Sequence, residues 1–233
     1  MEQRHVGVTF TGGVWASLGY PLLWLVLSLF IIPTAWGAVA FFGWWCAAAR
    51  FSDGTRADFE GRAGRIWPLF AVATFLAVLP QLATSGMEHD GRRLAVQGLL
   101  ALVLIPCDAA VKLPLYRWLI ENIRLSPGGT ARFHGRYLPF LGWSALVTVA
   151  AMTLIFGPFA AVGMARWVCR NIEGEGFGLE FHGSGWGLLG MSLLWMLGTM
   201  LVIPIPWVLR SVFRWWTENL RLIRFETAGA SLP

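Results

Sequence analysis

Arginine, tryptophan and asparagine recur with one spacing near the ends of three apolar segments. The pattern is R-W-x-x-[E/R]-N, and it begins at Arg117, Arg166 and Arg214. A guanidinium group is permanently charged and presents several N–H donors in one plane, which suits carboxylate and phosphate oxygens. The pattern therefore predicts a site for an anionic lipid or a small anion. The candidate ligand-binding residues are Arg117, Arg166, Arg210, Arg214, Asn122, Asn171 and Asn219.

The depth of these arginines leaves two interpretations open. Arg210, Arg214 and Glu218 are spaced four residues apart, so they share one helix face. Arg214 follows Pro206 at a distance of about 12 Å along a helix, at 1.5 Å of rise per residue. Either the arginines converge inside a bundle as a cationic pocket, or they extend to the interface among tryptophans and only mark the orientation of the chain.

Other polar residues in apolar segments are weaker candidates for chemistry. Asp108 and Lys112 lie one helical turn apart, which predicts a structural ion pair, with a proton relay as the alternative. His134 and His182 hold the same place in a repeated motif, and with Glu60 they would supply few ligands for a metal. We therefore predict neither a metal site nor a cofactor.

Catalytic signatures are absent from the sequence. There is no G-x-S-x-G, no H-E-x-x-H and no P-loop pattern, so an enzyme is not predicted. Cys46, Cys107 and Cys169 stand far apart in apolar stretches without a C-x-x-C pair. This spacing is typical of small buried hydrophobic residues and indicates neither a disulfide framework nor a zinc site.

The composition points to a membrane environment for the elements that position these residues. Of 233 residues, 56% are hydrophobic and 13% are charged, against about 25% charged in soluble domains. This excludes a soluble enzyme with a single anchor, a disulfide-stapled secreted domain and a disordered regulator. The net charge of +5 comes from arginines beside apolar segments, which favours a role in membrane orientation over nucleic-acid binding.

Eight apolar segments predict eight transmembrane helices. The N-terminal apolar segment is too long for a signal-peptide core, so we expect it to be retained as the first span. Most arginines fall in the tails and in the loops 50–66, 123–136 and 170–186, which predicts that both termini face the cytoplasm. In a rival topology, the second helix of each pair lies flat on the membrane. The segments are 14–32, 34–50, 67–85, 94–122, 137–156, 158–170, 187–205 and 206–222.

A short F-x-G motif opens four related units within a single domain. The units span 10–58, 59–132, 133–180 and 181–225, and turn signals such as Ser52-Asp53-Gly54 and Ser126-Pro127-Gly128-Gly129 separate them. We predict an all-α polytopic membrane protein of about eight transmembrane helices in four two-helix repeats, with short cytoplasmic β-hairpins between repeats and paired chain ends. The motif residues, with a structural role, are Phe10, Gly12, Phe59, Gly61, Phe133, Gly135, Phe181 and Gly183.

The order of these motifs resembles the YjgN-like family of bacterial inner-membrane proteins. The shared features are the F-x-G opening, an apolar helix that ends in a proline-containing turn, the R-[W/Y]-x-x-x-N helix end and the next F-x-G. The resemblance runs from Phe10 to Phe225, although the first unit lacks the arginine and asparagine after Trp44. The family has no established function, so the resemblance implies a multi-pass protein of the bacterial inner membrane but no substrate, cofactor or reaction.

Two functions remain open at this level. The first is a binding or translocation module for an anionic lipid or small anion, with membrane lipids as partners. The second is a structural or assembly partner in the membrane that binds no ligand and uses its arginines for topology alone. A lipid-modifying enzyme is the weakest alternative, because no motif supports it.

Overall fold

Helical hairpins alternate with short strands along the whole chain. The computed structural model describes residues 3–88, 90–126, 129–153 and 155–225, so Pro127 and Gly128 of the expected turn lie outside the described residues. Within these ranges there are eight helices and eight strands. The helices are α1 (Val14–Ser28), α2 (Thr34–Ala48), α3 (Ala63–Ala83), α4 (Gly91–Glu121), α5 (Tyr137–Ala151), α6 (Phe156–Arg170), α7 (Gly185–Met200) and α8 (Ile205–Glu218). The strands are β1 (Gln3–Phe10), β2 (Ala49–Phe51), β3 (Arg56–Phe59), β4 (Ile123–Ser126), β5 (Gly129–Phe133), β6 (Ile172–Gly174), β7 (Phe177–Phe181) and β8 (Leu220–Phe225).

The eight strands form a closed antiparallel barrel in chain order. The barrel closes where β1 pairs with β8, from Gln3 opposite Phe225 to Gly7 opposite Arg221. The pairing predicted for the two chain ends is therefore confirmed. Alternate side chains point inward, and Val6 and Leu222 are each only 1% exposed. Closure leaves the sheet with no free edge.

The eight helices form a ring on one end of the barrel. Each helix packs against the helices before and after it, and α1 packs against α8. The ring thus follows the same order as the strands, because each helical hairpin is joined to the barrel by a strand at both ends. The barrel interior and the adjoining helix ends share one apolar core, which includes Ala57, Leu125, Ala131 and Phe140.

The predicted fold class is wrong in two respects. The strands form a closed eight-stranded barrel, so the protein is not all-α. Within the described residues, α3 with 21 residues and α4 with 31 are the two helices long and apolar enough to cross a membrane, so a description by eight spans fails. The other six helices are at most about 24 Å long at 1.5 Å per residue, whereas the apolar core of a bilayer is about 30 Å thick. Hydropathy overestimated their lengths because hairpin tips and strand residues are equally apolar.

The two long helices are exposed and are not core helices of a soluble domain. Only 17% of the most apolar stretch of α3 and 11% of that of α4 are buried. Such continuous exposed apolar surface exceeds what soluble monomers normally show. By length and composition, α3 and α4 could therefore span a membrane.

The hairpin tips differ in polarity according to helix length. The tips of the three short hairpins are apolar and exposed; Leu29 is 75% exposed and Ile203 is 82% exposed. The sequence has no charged residue at 29–33, 152–155 or 201–204. The longer hairpin of α3 and α4 instead turns through a polar loop that contains Ser85, Glu88 and Asp90.

The first and last tips satisfy their backbone amides internally. The N–H groups of residues 29–32 and 201–203 donate to carbonyls two or three residues earlier. Ile31 and Val202 adopt left-handed backbone angles, with φ of 59° and 56°, at equivalent places in these two tips. A β-branched residue in this region is strained, so the surrounding hairpin must hold the turn in place.

Candidate functional site

The four F-x-G motifs lie at the neck, which we define as the junction where each of β1, β3, β5 and β7 passes into a helix. In every unit the phenylalanine ring packs against the tryptophan near the end of that unit's second helix. For Phe133 and Trp167 the ring centroids are 5.9 Å apart and nearly perpendicular. Edge-to-face contacts of this kind add to the energy of burial. The contact fixes the end of each hairpin to the barrel.

Backbone hydrogen bonds repeat around the neck in the same way. The residue between phenylalanine and glycine donates its N–H to the residue four positions after the tryptophan, as His134 does to the Asn171 carbonyl at 2.8 Å. In the first unit, Thr11 donates to Ala48, where the other units have asparagine. The missing asparagine therefore does not disturb this bond.

The motif glycines are required by close approach. A Cβ atom on Gly135 would lie 2.9 Å from the Trp167 ring, and one on Gly183 would lie 2.8 Å from the Trp215 ring. Both positions would also overlap the motif phenylalanine. The glycines let the backbone pass directly beneath the packed rings.

The asparagines cap helix ends. Asn122, Asn171 and Asn219 each donate a side-chain N–H to the carbonyl four residues earlier, at 2.7, 2.8 and 2.7 Å. Asn122 and Asn219 also donate their backbone N–H to the same carbonyl, so their side chains add a second bond in the last turn of α4 and of α8. Their amide groups are thus held in the helix ends, and a further role in ligand binding stays a prediction.

Three of the four candidate arginines connect neighbouring units. Arg117 donates to the Gly135 carbonyl at 3.0 Å and Arg166 to the Gly183 carbonyl at 2.8 Å. Arg210 donates to the Gly12 carbonyl at 2.9 Å and so joins the last unit to the first. These contacts bring the second helix of one unit to the motif glycine of the next, so the arginines lie around the neck and do not meet in one pocket.

Arg214 differs from its counterparts in the repeated pattern. Its Nε donates to Glu218 Oε1 at 3.0 Å within the same helix, and the charge is therefore compensated. Arg210, one turn earlier, makes the contact with glycine that Arg117 and Arg166 make in their units. Of the four candidates, Arg117 and Arg166 are exposed and form no ion pair among the described residues.

These two side chains belong to a larger basic surface at the neck. Arg62 and Arg136 directly follow motif glycines and are exposed. We call Arg62, Arg117, Arg136 and Arg166 the arginine belt. A guanidinium has five N–H donors, and the glycine carbonyl engages one amino group of Arg117 and of Arg166. The belt thus offers fixed positive charge with donors free for phosphate oxygens, at the boundary between the charged barrel and the apolar helices.

Other predicted polar groups have local partners. The ion pair between Asp108 and Lys112 is confirmed, at 2.7 Å. His134 lies 3.6 Å from Glu173 and His182 lies 3.1 Å from Glu180, so each histidine has its own glutamate partner. Across the part of the chain that the structure describes, no three His, Cys, Asp or Glu side chains are grouped to hold a metal ion.

A partly exposed ion pair secures the last strand against the first hairpin turn of the barrel. Arg224 on β8 lies 3.0 Å from the Asp53 carboxylate and donates to Thr55 Oγ1 at 2.6 Å. Asp53 also accepts the Thr55 N–H at 3.0 Å. Burial acts to raise the pKa of Asp53, but the hydrogen bonds from Thr55 and the Arg224 charge outweigh it, so the pKa lies below its ordinary 3.8.

Sequence analysis did not predict a cavity on the axis of the ring. We call it the axial chamber; it measures about 200 Å³ and lies between the barrel interior and the ends of the helices. Ala57 on β3 and Ala131 on β5 lie two residues before their motif phenylalanines, where Val8 and Leu179 stand in the other units. These two small side chains are the one feature of the sequence that hints at the cavity. Neither segment by itself shows that the two alanines face the same space.

Comparisons with protein-family models, with curated proteins and with solved structures find no match to this chain.

Proposed function

We propose that the protein is an inner-membrane module that binds anionic lipid through the arginine belt. The observation that carries the proposal is the position of Arg117 and Arg166. Their uncompensated guanidinium groups are anchored at the boundary where the charged barrel meets apolar, exposed helices. In a bilayer this boundary is the depth of lipid phosphates, for which arginine is well suited.

Helix length supports a specific depth of insertion. At 1.5 Å per residue, α3 is about 32 Å long, which matches an apolar layer of about 30 Å. Its polar loop then emerges on the far side. The three short hairpins reach only about 21 to 24 Å, so their tips end within the apolar layer. The absence of charge from these tips and the internal bonding of their amides support this arrangement, since unpaired N–H groups are costly in hydrocarbon.

The charge of the barrel supports one orientation. The barrel strands have more exposed arginines than the region of the α3–α4 loop, where Arg92 and Arg93 in the first turn of α4 follow Glu88 and Asp90. By the preference of basic residues for the cytoplasmic side, the barrel and both chain ends face the cytoplasm. The exposed arginines of the barrel strands are Arg4, Arg50, Arg56, Arg124, Arg132 and Arg221.

The experiment compares lipid retention by two matched double variants. The protein is reconstituted in discs with equal phosphatidylglycerol and phosphatidylcholine, and bound lipids are counted by native mass spectrometry. We expect wild type to retain phosphatidylglycerol in excess. Arg117→Gln with Arg166→Gln should bring the bound ratio to that of the disc, whereas Arg50→Gln with Arg132→Gln removes the same charge from the barrel wall and should not.

The alternative is a structural membrane partner whose arginines bind no ligand. The bonds from Arg117 and Arg166 to glycine carbonyls favour it, because they hold adjacent units together. Under this alternative the Arg117→Gln, Arg166→Gln protein loses thermal stability but keeps the wild-type lipid ratio. That outcome would refute lipid binding at the belt. The Arg117→Lys, Arg166→Lys variant retains both positive charges, so it separates the effect of charge on lipid binding from the effect of the glycine contacts on stability.

A further inference from the structure

The axial chamber has a wall without polar surface. Side chains from the barrel and from the ends of α2, α4 and α8 line it, and all of its accessible wall area is apolar. One polar side chain at the wall, Thr217, uses its hydroxyl to accept the Trp45 indole N–H at 2.9 Å. A trapped water needs two to four polar partners, so water is not held here.

The size of the chamber is unusual for a protein interior. Packed cores contain few voids larger than a water molecule. A cavity of about 150 Å³ lined by apolar side chains stays dry and binds small apolar molecules such as benzene. At about 200 Å³, the chamber has room for an apolar group of at least this size.

A second space adjoins the chamber on the side of the helices. It measures about 330 Å³, lies among α2, α4, α5, α6 and α8, and shares Trp45 and Leu220 with the chamber wall. Its other wall residues include Tyr116, Met164 and Val168. Methionine adapts its shape to variable apolar partners. The two spaces together suit an elongated apolar group better than a compact one.

We propose that the axial chamber binds the end of a single hydrocarbon chain. The chain runs among the inner helices and ends in the barrel, between Ala57 and Ala131. Its source is either a fatty acid or one acyl chain of a membrane phospholipid, which share this chemistry. The site is separate from the arginine belt and does not depend on headgroup binding there.

The test uses a photoreactive group at the chain end. Wild-type protein in phosphatidylcholine discs receives one of two probes, a free fatty acid or a phosphatidylcholine. Each probe carries an aliphatic diazirine at the end of an acyl chain. After irradiation, the labelled residues are mapped by peptide mass spectrometry. We expect labels on chamber residues such as Cys46, Leu125 and Ile172 in at least one arm, and the arm identifies the source. Labels confined to outward residues such as Leu29 and Leu201, in both arms, would overturn the proposal.

Filling the chamber provides the matched control. Ala57→Leu with Ala131→Leu adds bulk from β3 and β5, the two strands that flank β4, and should remove most labels from the chamber wall, while labels on the hairpin tips stay at the wild-type level. Ala95→Leu makes the same change at an exposed position of α4 and should leave the labelling unchanged. If the double variant does not fold, Ala131→Leu alone is used. Unchanged labelling of the wall in a folded, filled variant would refute the chamber as the site.

Discussion

The hydrogen bond between Trp45 and Thr217 offers a measurable test of the ring of helices. It joins α2 to α8 across 172 residues of sequence, and Thr217 is 1% exposed. Thr217→Val keeps the shape of the side chain but removes the acceptor. The indole N–H then loses its partner beside a chamber whose wall offers no polar atom in its place. Leaving a buried donor unpaired costs about 1–3 kcal/mol, so we expect the free energy of unfolding to fall by this amount.

A double-mutant cycle separates the bond from the packing. Trp45→Phe removes the donor, and in that background Thr217→Val no longer leaves an unpaired N–H group. Replacing both partners by apolar groups is often nearly neutral, so the second substitution should then cost about 0–0.5 kcal/mol. Thr217→Ser keeps the hydroxyl and should lose only the energy of one buried methyl, about 1 kcal/mol.

Equilibrium unfolding in mixed micelles provides the measurement. Tryptophan fluorescence follows the transition, since the chain has 14 tryptophans. Equal stability of wild type and Thr217→Val would refute the reasoning, and so would an equal cost of the substitution in the two backgrounds. Either result would show that the indole N–H gains nothing from the threonine and that α2 and α8 are held by packing alone.

Three further predictions concern the barrel, the neck and the tips. The pKa of Asp53 lies below 3.8 in the folded protein, so the stabilising effect of the ionised carboxylate is complete well above pH 3.8 and is lost as the pH falls through the folded pKa. Thermal melts of Asp53→Asn should therefore differ from those of wild type at pH 7 and converge with them in acid. Gly135→Ala places a methyl 2.9 Å from the Trp167 ring and should cost about 1–3 kcal/mol in the same unfolding assay, whereas no loss would contradict the close approach. Leu201→Arg puts a charge at an apolar tip and should reduce the amount of protein recovered in the membrane fraction, whereas Ser85→Arg in the polar loop should not. Equal recovery of the two variants would place the tip outside the apolar layer.

Local patterns were sufficient to locate most helices and turns. The apolar segment predicted at 137–156 contains α5, and the turn signal Ser52-Asp53-Gly54 stands between β2 and β3. At this turn Gly54 has a φ of 85°, a conformation that few other residues adopt readily. Such features depend on neighbours within a few residues, and composition and spacing report on them directly.

Hydropathy misjudged the extent of the helices for a physical reason. The segment predicted at 206–222 runs past the end of α8 at Glu218 and into β8, whose inward side chains are as apolar as those of a helix. The segment predicted at 14–32 includes the exposed tip of the first hairpin. An apolar residue in a buried strand, an exposed tip or a helix has the same hydropathy, so the number of crossings could not be derived from it.

The candidate site likewise combines features set by residues close in sequence with contacts between residues far apart in sequence. The repeated arginines and their place beside tryptophan can be derived from the residues alone. Their partners cannot, because the Gly135 carbonyl that binds Arg117 belongs to the next unit and comes within reach only when the ring of helices forms. The axial chamber likewise exists because Ala57 and Ala131 face one space, which follows from strand register and from closure of β1 on β8. Distances between residues far apart in the chain are set by that closure, and no local pattern encodes them.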